Sequence, residues 1–187
     1  MRIIAGDFKG KKILEPKDKE TRPLKDLTKE SIFNIITHSN KFSINLEQSN
    51  ILDLFSGTGS FGLECLSRRA KHVTFVENYK KILPILKKNL LNLKSTKSYK
   101  IVEQDILKKL KITESNEKFD IIFLDPPYKE NNLDKLLSSI KNFKIIKNDG
   151  IIIIHRHKKQ KDKLPNSFKI IEEKVYGISK IIFGTYF

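Results

Sequence analysis

Short apolar runs alternate with amphipathic stretches along most of the chain after residue 49. The runs predict strands at 50–55, 72–76, 99–103, 119–124 and 149–154. The stretches between them predict helices at 60–69, 79–93, about 106–111 and 131–141. Pro84 lies inside the second of these helices, where it should either kink the helix or mark its true start. Alternating strands and helices form βαβ units, so the pattern predicts an α/β fold of the Rossmann type, with a parallel sheet covered by helices on both faces.

The first 49 residues do not follow this alternation. Residues 3–4 and 12–14 predict the arms of a short hairpin, with Gly6 and Gly10 at its bend. A helix is predicted to begin near Asp26 or Thr28. We therefore expect an N-terminal extension made of a hairpin and a helix.

The end of the chain also departs from the βαβ pattern. Residues 168–175 and 180–187 are two strand-like runs around Gly177, which predicts a final antiparallel hairpin. No repeat, linker or break in composition interrupts the chain. We expect one domain over residues 1–187, in which the extension occupies 1–49 and a cofactor-binding core occupies 50–187.

The formal net charge of +15 favours a polyanionic partner, with nucleic acid ahead of an anionic membrane surface. A general enrichment in Lys, Ile and Asn, typical of A/T-rich genomes, accounts for part of that excess. The charge is nevertheless clustered. Residues 79–100 carry seven lysines and no acid, and residues 155–169 carry five lysines and Arg156 against Asp162 alone.

Other features of the sequence bear on the expected cellular location of the protein. Cys65 is the only cysteine, which rules out an internal disulfide and favours a reducing cytoplasm. The first residues lack the apolar core of a signal peptide. The longest aliphatic run, 151–154, is far too short to span a bilayer.

A glycine-rich segment follows the first predicted strand of the core. Gly57, Gly59 and Gly62 form G-x-G-x-x-G between a predicted strand and a predicted helix, the context that this motif requires. Glycines let a ligand approach the backbone closely, and the helix N-terminus favours an anionic or carboxylate group. The motif by itself suits either a dinucleotide or S-adenosylmethionine.

Further candidate cofactor contacts lie at the ends of the next strands. Glu77 closes the second strand and could accept hydrogen bonds from a ribose diol. Asp105 could meet an adenine amino group, or could cap a helix beginning at Ile106, and both roles are compatible. The full set of expected cofactor-binding residues is Asp53, Phe55, Ser56, Gly57, Thr58, Gly59, Glu77, Asn78, Asp105 and Ile106.

The segment Asp125-Pro126-Pro127-Tyr128 carries the most specific chemistry in the chain. Both prolines lack a backbone N–H, so the segment offers only acceptors, and Tyr128 adds an aromatic face. A planar ring with an exocyclic amino group is the complement of such a site. The tetrapeptide follows the fourth strand, at the edge where parallel sheets bind ligands. A dehydrogenase has no evident use for it, so the balance tips from a dinucleotide to S-adenosylmethionine.

These motifs resemble the class I methyltransferases that modify exocyclic nitrogens. The resemblance narrows to the bacterial 16S rRNA guanine-N2 methyltransferases of the D type, through residues 2–6, 10–14, 22–34, 62–68 and 174–177. It implies S-adenosylmethionine as methyl donor and a guanine of 16S rRNA as target, presented by a partly or fully assembled 30S particle. It also implies a seven-stranded sheet whose last strand runs antiparallel.

The resemblance also implies roles for individual residues. The Asp125 carboxylate and the Pro126 carbonyl would accept hydrogen bonds from the amino group, and Tyr128 would stack on the base. No metal is expected to take part, and we expect a monomer. The expected RNA contacts are Arg2, Lys9, Lys11, Lys12, Arg22 and Lys29.

Three positions depart from the family pattern: Tyr79 and His155 stand where an acid is usual, and Lys29 where arginine is common. His155 and His157 have metal-like spacing but no visible third ligand, so we expect them to face solvent or RNA. The competing functions are a DNA adenine-N6 methyltransferase, a dinucleotide-dependent oxidoreductase and a catalytically silent RNA-binding protein.

Overall fold

One seven-stranded sheet organises the computed structural model, which describes residues 1–16, 24–94, 98–108, 117–127 and 132–187. The strands are β1 (Asn50–Leu54), β2 (His72–Glu77), β3 (Tyr99–Glu103), β4 (Phe119–Leu124), β5 (Ile146–His157), β6 (Phe168–Tyr176) and β7 (Ser179–Tyr186). Their order is β3-β2-β1-β4-β5-β7-β6. Neighbours from β3 to β5 are parallel, whereas β7 is antiparallel to both β5 and β6. The predicted sheet, with its antiparallel last strand, is confirmed.

Alternation along each strand divides the core between the two faces of the sheet. The helices are α1 (Asp26–His38), α2 (Ser60–Ser67), α3 (Leu83–Leu91) and α4 (Leu133–Asn142). Ile51 packs with α1, α2 and α3 on one face, and its neighbour Leu52 packs with α4 on the other. Successive side chains of a strand point to opposite faces, so a strand buried on both sides is apolar throughout.

Some element boundaries differ from the prediction. Pro84 lies in the first turn of α3, so it marks the start of that helix rather than a kink. Residues 106–108 form a turn, and the rest of the helix predicted at about 106–111 lies outside the described residues. Strand β5 continues to His157, three residues beyond the predicted end. Among the described residues, every helix is too short or too polar to cross a membrane.

The predicted N-terminal hairpin is present and docks on α2. Its arms meet at an antiparallel bridge between Arg2 and Lys12. Gly6 has φ +81°, and a Cβ there would lie 1.9 Å from the Ser67 carbonyl oxygen. Only glycine permits both that backbone conformation and that close approach. The hairpin therefore covers the C-terminal end of α2.

A buried ion pair holds α1 and the hairpin against α2, and it corrects one prediction. Lys29 was expected to contact RNA, but its side chain is fully buried and its ammonium donates to the Arg2 carbonyl at 2.7 Å. The Glu64 carboxylate, 3.8 Å away, accepts from the Ile4 and Ala5 amides at 2.7 and 2.9 Å. Burial lowers the pKa of Lys29, and Glu64 opposes that shift. Lys29 is a structural residue because α1 packs it inward.

Candidate active site

The glycine loop lies where β1 ends, and strand β2 supports it. The Ser56 amide donates to the Val76 carbonyl at 3.1 Å. Phe55, Gly57 and Gly59 all have positive φ values, 58°, 53° and 84°. A non-glycine residue in this region carries backbone strain of roughly 1–3 kcal/mol, and such strain clusters at ligand sites. The conformation at Phe55 is therefore a structural sign of function that sequence reading could not supply.

Two further contacts fix the loop to its surroundings. A Cβ on Gly62 would lie 2.3 Å from the Phe75 ring, so the third glycine allows close packing of α2 on β2. The Asn89 side chain donates to the Thr58 carbonyl at 3.0 Å and to the Leu14 carbonyl at 3.1 Å. Asn89 thereby joins the N-terminal hairpin, α3 and the glycine loop.

Asp53 lies beneath the loop and is almost completely buried. Its carboxylate accepts a hydrogen bond from the Gly62 amide at 3.0 Å. Burial raises the pKa of Asp53 well above its usual value; the Gly62 amide opposes the shift, and the negative charges of Asp125 and Glu77 reinforce it. Three carboxyl groups thus converge here, and the site favours a cationic ligand over an anionic one.

Glu77 closes β2 as predicted, and its carboxylate is held by the backbone. One oxygen accepts from the Gly57 amide at 2.7 Å, and the other from the Asn78 and Tyr79 amides, both at 2.9 Å. A carboxylate has about four acceptor positions, so about one is left for a ligand hydroxyl. A ribose diol that occupied two acceptor positions would displace one of these hydrogen bonds from backbone amides.

Asp105 follows β3 and makes the local hydrogen bond that the sequence suggested. One of its carboxylate oxygens accepts from the Leu107 amide at 3.1 Å, which stabilises the turn at 106–108. Ile106 is buried in that turn. Asp105 itself is partly exposed. Contact of either residue with an adenine stays a prediction.

The tetrapeptide begins where β4 ends, next to the glycine loop. The Asp125 amide lies 3.4 Å from the Leu54 carbonyl of β1. Pro126 is buried and Pro127 is exposed. Tyr128 lies outside the described residues, so its stacking role stays a prediction. Asp125 is partly exposed, and its carboxylate lies beside the glycine loop, whose backbone a ligand can approach closely.

His155 was predicted to face solvent or RNA, but it is buried against Asp125, so that prediction was wrong. Its Nδ1 lies 2.9 Å from an Asp125 carboxylate oxygen, and its Nε2 lies 3.0 Å from the Ser179 hydroxyl. An ionised carboxylate can only accept, so we assign the proton to Nδ1. Ser179 is buried too, with 7% of its surface exposed, which does not suit a nucleophile. His155 holds Asp125 instead.

Arg156 is the second residue that sequence reading did not connect with the tetrapeptide. Its side chain is fully buried, and it donates to both Asp162 oxygens at 2.7 to 3.1 Å. Another nitrogen of the same guanidinium lies 3.1 Å from the Pro127 carbonyl and 3.5 Å from the Pro126 carbonyl. Arg156 therefore donates more closely to the Pro127 carbonyl than to the Pro126 carbonyl. The Pro126 carbonyl keeps a second lone pair, so it and the Asp125 carboxylate are the candidate acceptors for a substrate amino group.

The structure places two of the predicted RNA contacts, Lys9 and Lys11, away from Asp125. Arg2, Lys9, Lys11 and Lys12 are exposed, and Arg22 lies outside the described residues. The Lys11 ammonium contacts the Asn92 carbonyl, beyond the C-terminal end of α3, and the bend containing Lys9 lies at the C-terminal end of α2. Helices of βαβ units return toward the amino ends of the strands. Lys9 and Lys11 consequently lie toward the edge opposite the tetrapeptide.

Comparison with known proteins gives the same family from end to end. The family model described as conserved hypothetical protein 95 matches residues 1–185. Ribosomal RNA small subunit methyltransferase D of Haemophilus influenzae is 35% identical over 95% of this chain and 90% of its own. An Escherichia coli structure assigned as a methyltransferase superposes with a TM-score of 0.82 at 24% identity, covering 100% and 97% of the two chains. A further structure, solved in complex with SAH, superposes with a TM-score of 0.61 at 17% identity, covering 84% and 49%.

Proposed function

The chain belongs to the conserved hypothetical protein 95 family, and on that premise we propose that it methylates ribosomal RNA. The methyl donor is S-adenosylmethionine, and the acceptor is the exocyclic N2 amino group of one guanine in 16S rRNA, within the 30S subunit or an assembly intermediate. The observation that carries the proposal is the Asp125 carboxylate, held by His155 beside the strained glycine loop. The Haemophilus influenzae relative, named as a small-subunit rRNA methyltransferase, supports the substrate class.

The charge of the site supports the choice of cofactor. S-adenosylmethionine carries a sulfonium and an ammonium, whereas a dinucleotide carries a pyrophosphate. Asp125 and Glu77 lie close enough to Asp53 for their negative charges to raise its pKa, and the same charges attract the first ligand and repel the second. The glycine loop and Glu77 would hold S-adenosylmethionine, which supplies an electrophilic methyl group when bound.

The chain's own residues would act on the acceptor amine. The lone pair of a guanine amino nitrogen is delocalised into the ring, so the nitrogen is a weak nucleophile. Hydrogen bonds from its N–H groups to the Asp125 carboxylate and the Pro126 carbonyl would favour a tetrahedral nitrogen. A nitrogen–carbon bond then forms as the carbon–sulfur bond breaks, and the surplus proton leaves toward Asp125 and solvent. Oriented acceptors of this kind are worth about 3–4 kcal/mol each.

Replacement of Asp125 tests the proposal. Asp125→Ala should lower methyl transfer by at least about 100-fold with S-adenosylmethionine affinity nearly unchanged. Asp125→Asn keeps one acceptor oxygen and should retain part of the activity. Asp120→Ala is the matched control, because Asp120 lies on the same strand but pairs with Lys147 at 2.8 Å instead of entering the site. Turnover near that of the unaltered protein in Asp125→Ala would contradict the assignment.

Mass mapping of rRNA tests the substrate. Cells lacking the gene should lose one N2-methylguanine from 16S rRNA, and the purified protein should restore it. An unchanged methylation map would refute the assignment of 16S rRNA as substrate. It would not affect the assignment of the cofactor, which is tested separately by measuring S-adenosylmethionine binding with calorimetry. Binding of NAD in place of S-adenosylmethionine would favour the oxidoreductase alternative, and methylation of DNA adenine the adenine-N6 alternative.

A further inference from the structure

The loop after β5 concentrates positive charge beside the tetrapeptide. Lys158, Lys159, Lys161 and Lys163 are all exposed. The one acid of this loop, Asp162, is neutralised by the buried guanidinium of Arg156. We call residues 158–163 the basic loop.

Several hydrogen bonds hold the basic loop in place. The Lys158 amide donates to the Ile178 carbonyl at 2.8 Å, and the Lys180 ammonium donates to the Gln160 carbonyl at 2.7 Å. Arg156 joins Asp162 to the Pro127 carbonyl, so the same side chain positions the loop and the tetrapeptide. A charged loop that is ordered before binding loses less conformational entropy when a ligand arrives.

Among the described residues, no carboxylate compensates the four lysines of the basic loop by a salt bridge. None of its four lysines forms a salt bridge with a carboxylate of the described residues, whereas Lys41 pairs with Glu172 and Lys147 with Asp120. Uncompensated cations on a fixed loop create a positive potential that favours a polyanion. Lys9 and Lys11 lie toward the opposite edge, whereas Arg156 ties the basic loop directly to the tetrapeptide that contains Asp125.

We propose that the basic loop binds the sugar–phosphate backbone of the substrate RNA beside the target nucleotide, an inference that rests on the proposed function. Because the target base has to leave its stack, the neighbouring backbone is locally single-stranded when it binds. Each lysine–phosphate contact on a single strand contributes about 0.7 to the slope of log affinity against log salt concentration. Four contacts therefore contribute about 3 to that slope.

The test compares two variants with the same change in charge. One replaces the loop lysines (Lys158→Gln, Lys159→Gln, Lys161→Gln and Lys163→Gln). The other replaces four exposed lysines near the amino ends of β2, β4, β5 and β6 (Lys71→Gln, Lys118→Gln, Lys144→Gln and Lys169→Gln). Affinity for a 16S rRNA transcript is measured from about 50 to 200 mM salt without cofactor.

The loop variant should bind RNA more weakly, with a slope shallower by about 3, and S-adenosylmethionine affinity and thermal stability should not change. The opposite-edge variant should keep most of the slope. Equal losses in both variants would show a response to overall charge and would overturn the proposal, as would an unaltered slope in the loop variant. Loss of binding to anionic vesicles with RNA binding intact would overturn it in favour of a membrane surface. RNA binding is measured apart from turnover, so loop-dependent binding by a protein that transfers no methyl group would contradict the proposed function alone.

Discussion

The hydrogen bond between His155 and Asp125 predicts that a residue outside the tetrapeptide controls the rate of methyl transfer. His155→Leu removes the hydrogen-bond donor at Nδ1, so the carboxylate group of Asp125 is no longer held in one orientation. A hydrogen bond to a charged group is worth about 1.5–3 kcal/mol. If the full amount enters the barrier, kcat falls by roughly 10- to 150-fold, because each 1.36 kcal/mol is a factor of ten.

Two further variants separate positioning from simple loss of packing. In His155→Asn the amide nitrogen takes the place of Nδ1, so kcat should recover most of the way. In Ser179→Ala the 2.9 Å bond to Asp125 is kept and only the 3.0 Å contact at Nε2 is lost, so the fall in kcat should be smaller. His157→Asn is the matched control: His157 lies two residues along β5, and its Nδ1 accepts from the Lys159 amide.

The assay measures kcat and KM for RNA, with S-adenosylmethionine affinity measured separately by calorimetry. The expected result is a lower kcat for His155→Leu with nearly unchanged cofactor affinity and thermal unfolding. Leucine and asparagine variants that are equally slow would show that hydrogen bonding at Nδ1 is irrelevant. A leucine variant as fast as the unaltered protein would refute the positioning role outright.

Two predictions concern stability. Lys29→Met leaves the buried Glu64 with only Arg68 and backbone donors, so it should destabilise the protein by about 3 kcal/mol in urea unfolding, with Lys29→Arg recovering much of the loss; an unchanged midpoint would contradict a structural role. Burial raises the pKa of Asp53 in the folded state, so the unfolded state ionises first and the protein loses stability as pH rises from about 4 toward that raised pKa. Asp53→Asn should therefore be stabilising, more strongly at pH 7 than at pH 4, while weakening S-adenosylmethionine binding; a stability difference independent of pH would count against it.

Much of this architecture could be read from local pattern. Apolar runs such as 119–124 and 151–154 are typical of strands buried on both faces, and the structure confirms them as strands. The glycine loop and the tetrapeptide each follow such a strand, so the parallel order alone brings them to one edge of the sheet. The sequence allowed two interpretations of Pro84, a kink within a helix or the start of one, since only packing decides where a helix begins.

The contacts that complete the candidate site were beyond local pattern. His155 reaches Asp125 from 30 positions away, and it reaches Ser179 because the register of β5 against β7 brings the two strands' ends together. That register is set by burial of whole strands and cannot be seen in either segment alone. Without knowledge of that register, the i, i+2 spacing of His155 and His157 was interpreted as a pair of exposed side chains.

By itself, the sequence predicted most of the elements and a mostly parallel sheet, and it marked Asp125 to Tyr128 as the candidate acceptor site, because these depend on short-range periodicity and on residue types within a few positions. Only the tertiary structure decided which charged side chains are buried and paired inside the protein. Lys29 and Arg156 count toward the +15 in the sequence, yet both are fully buried against carboxylates, whereas the lysines of the basic loop stay exposed. The physical reason is that burial and pairing depend on which distant segments pack together, and net charge contains no information about that.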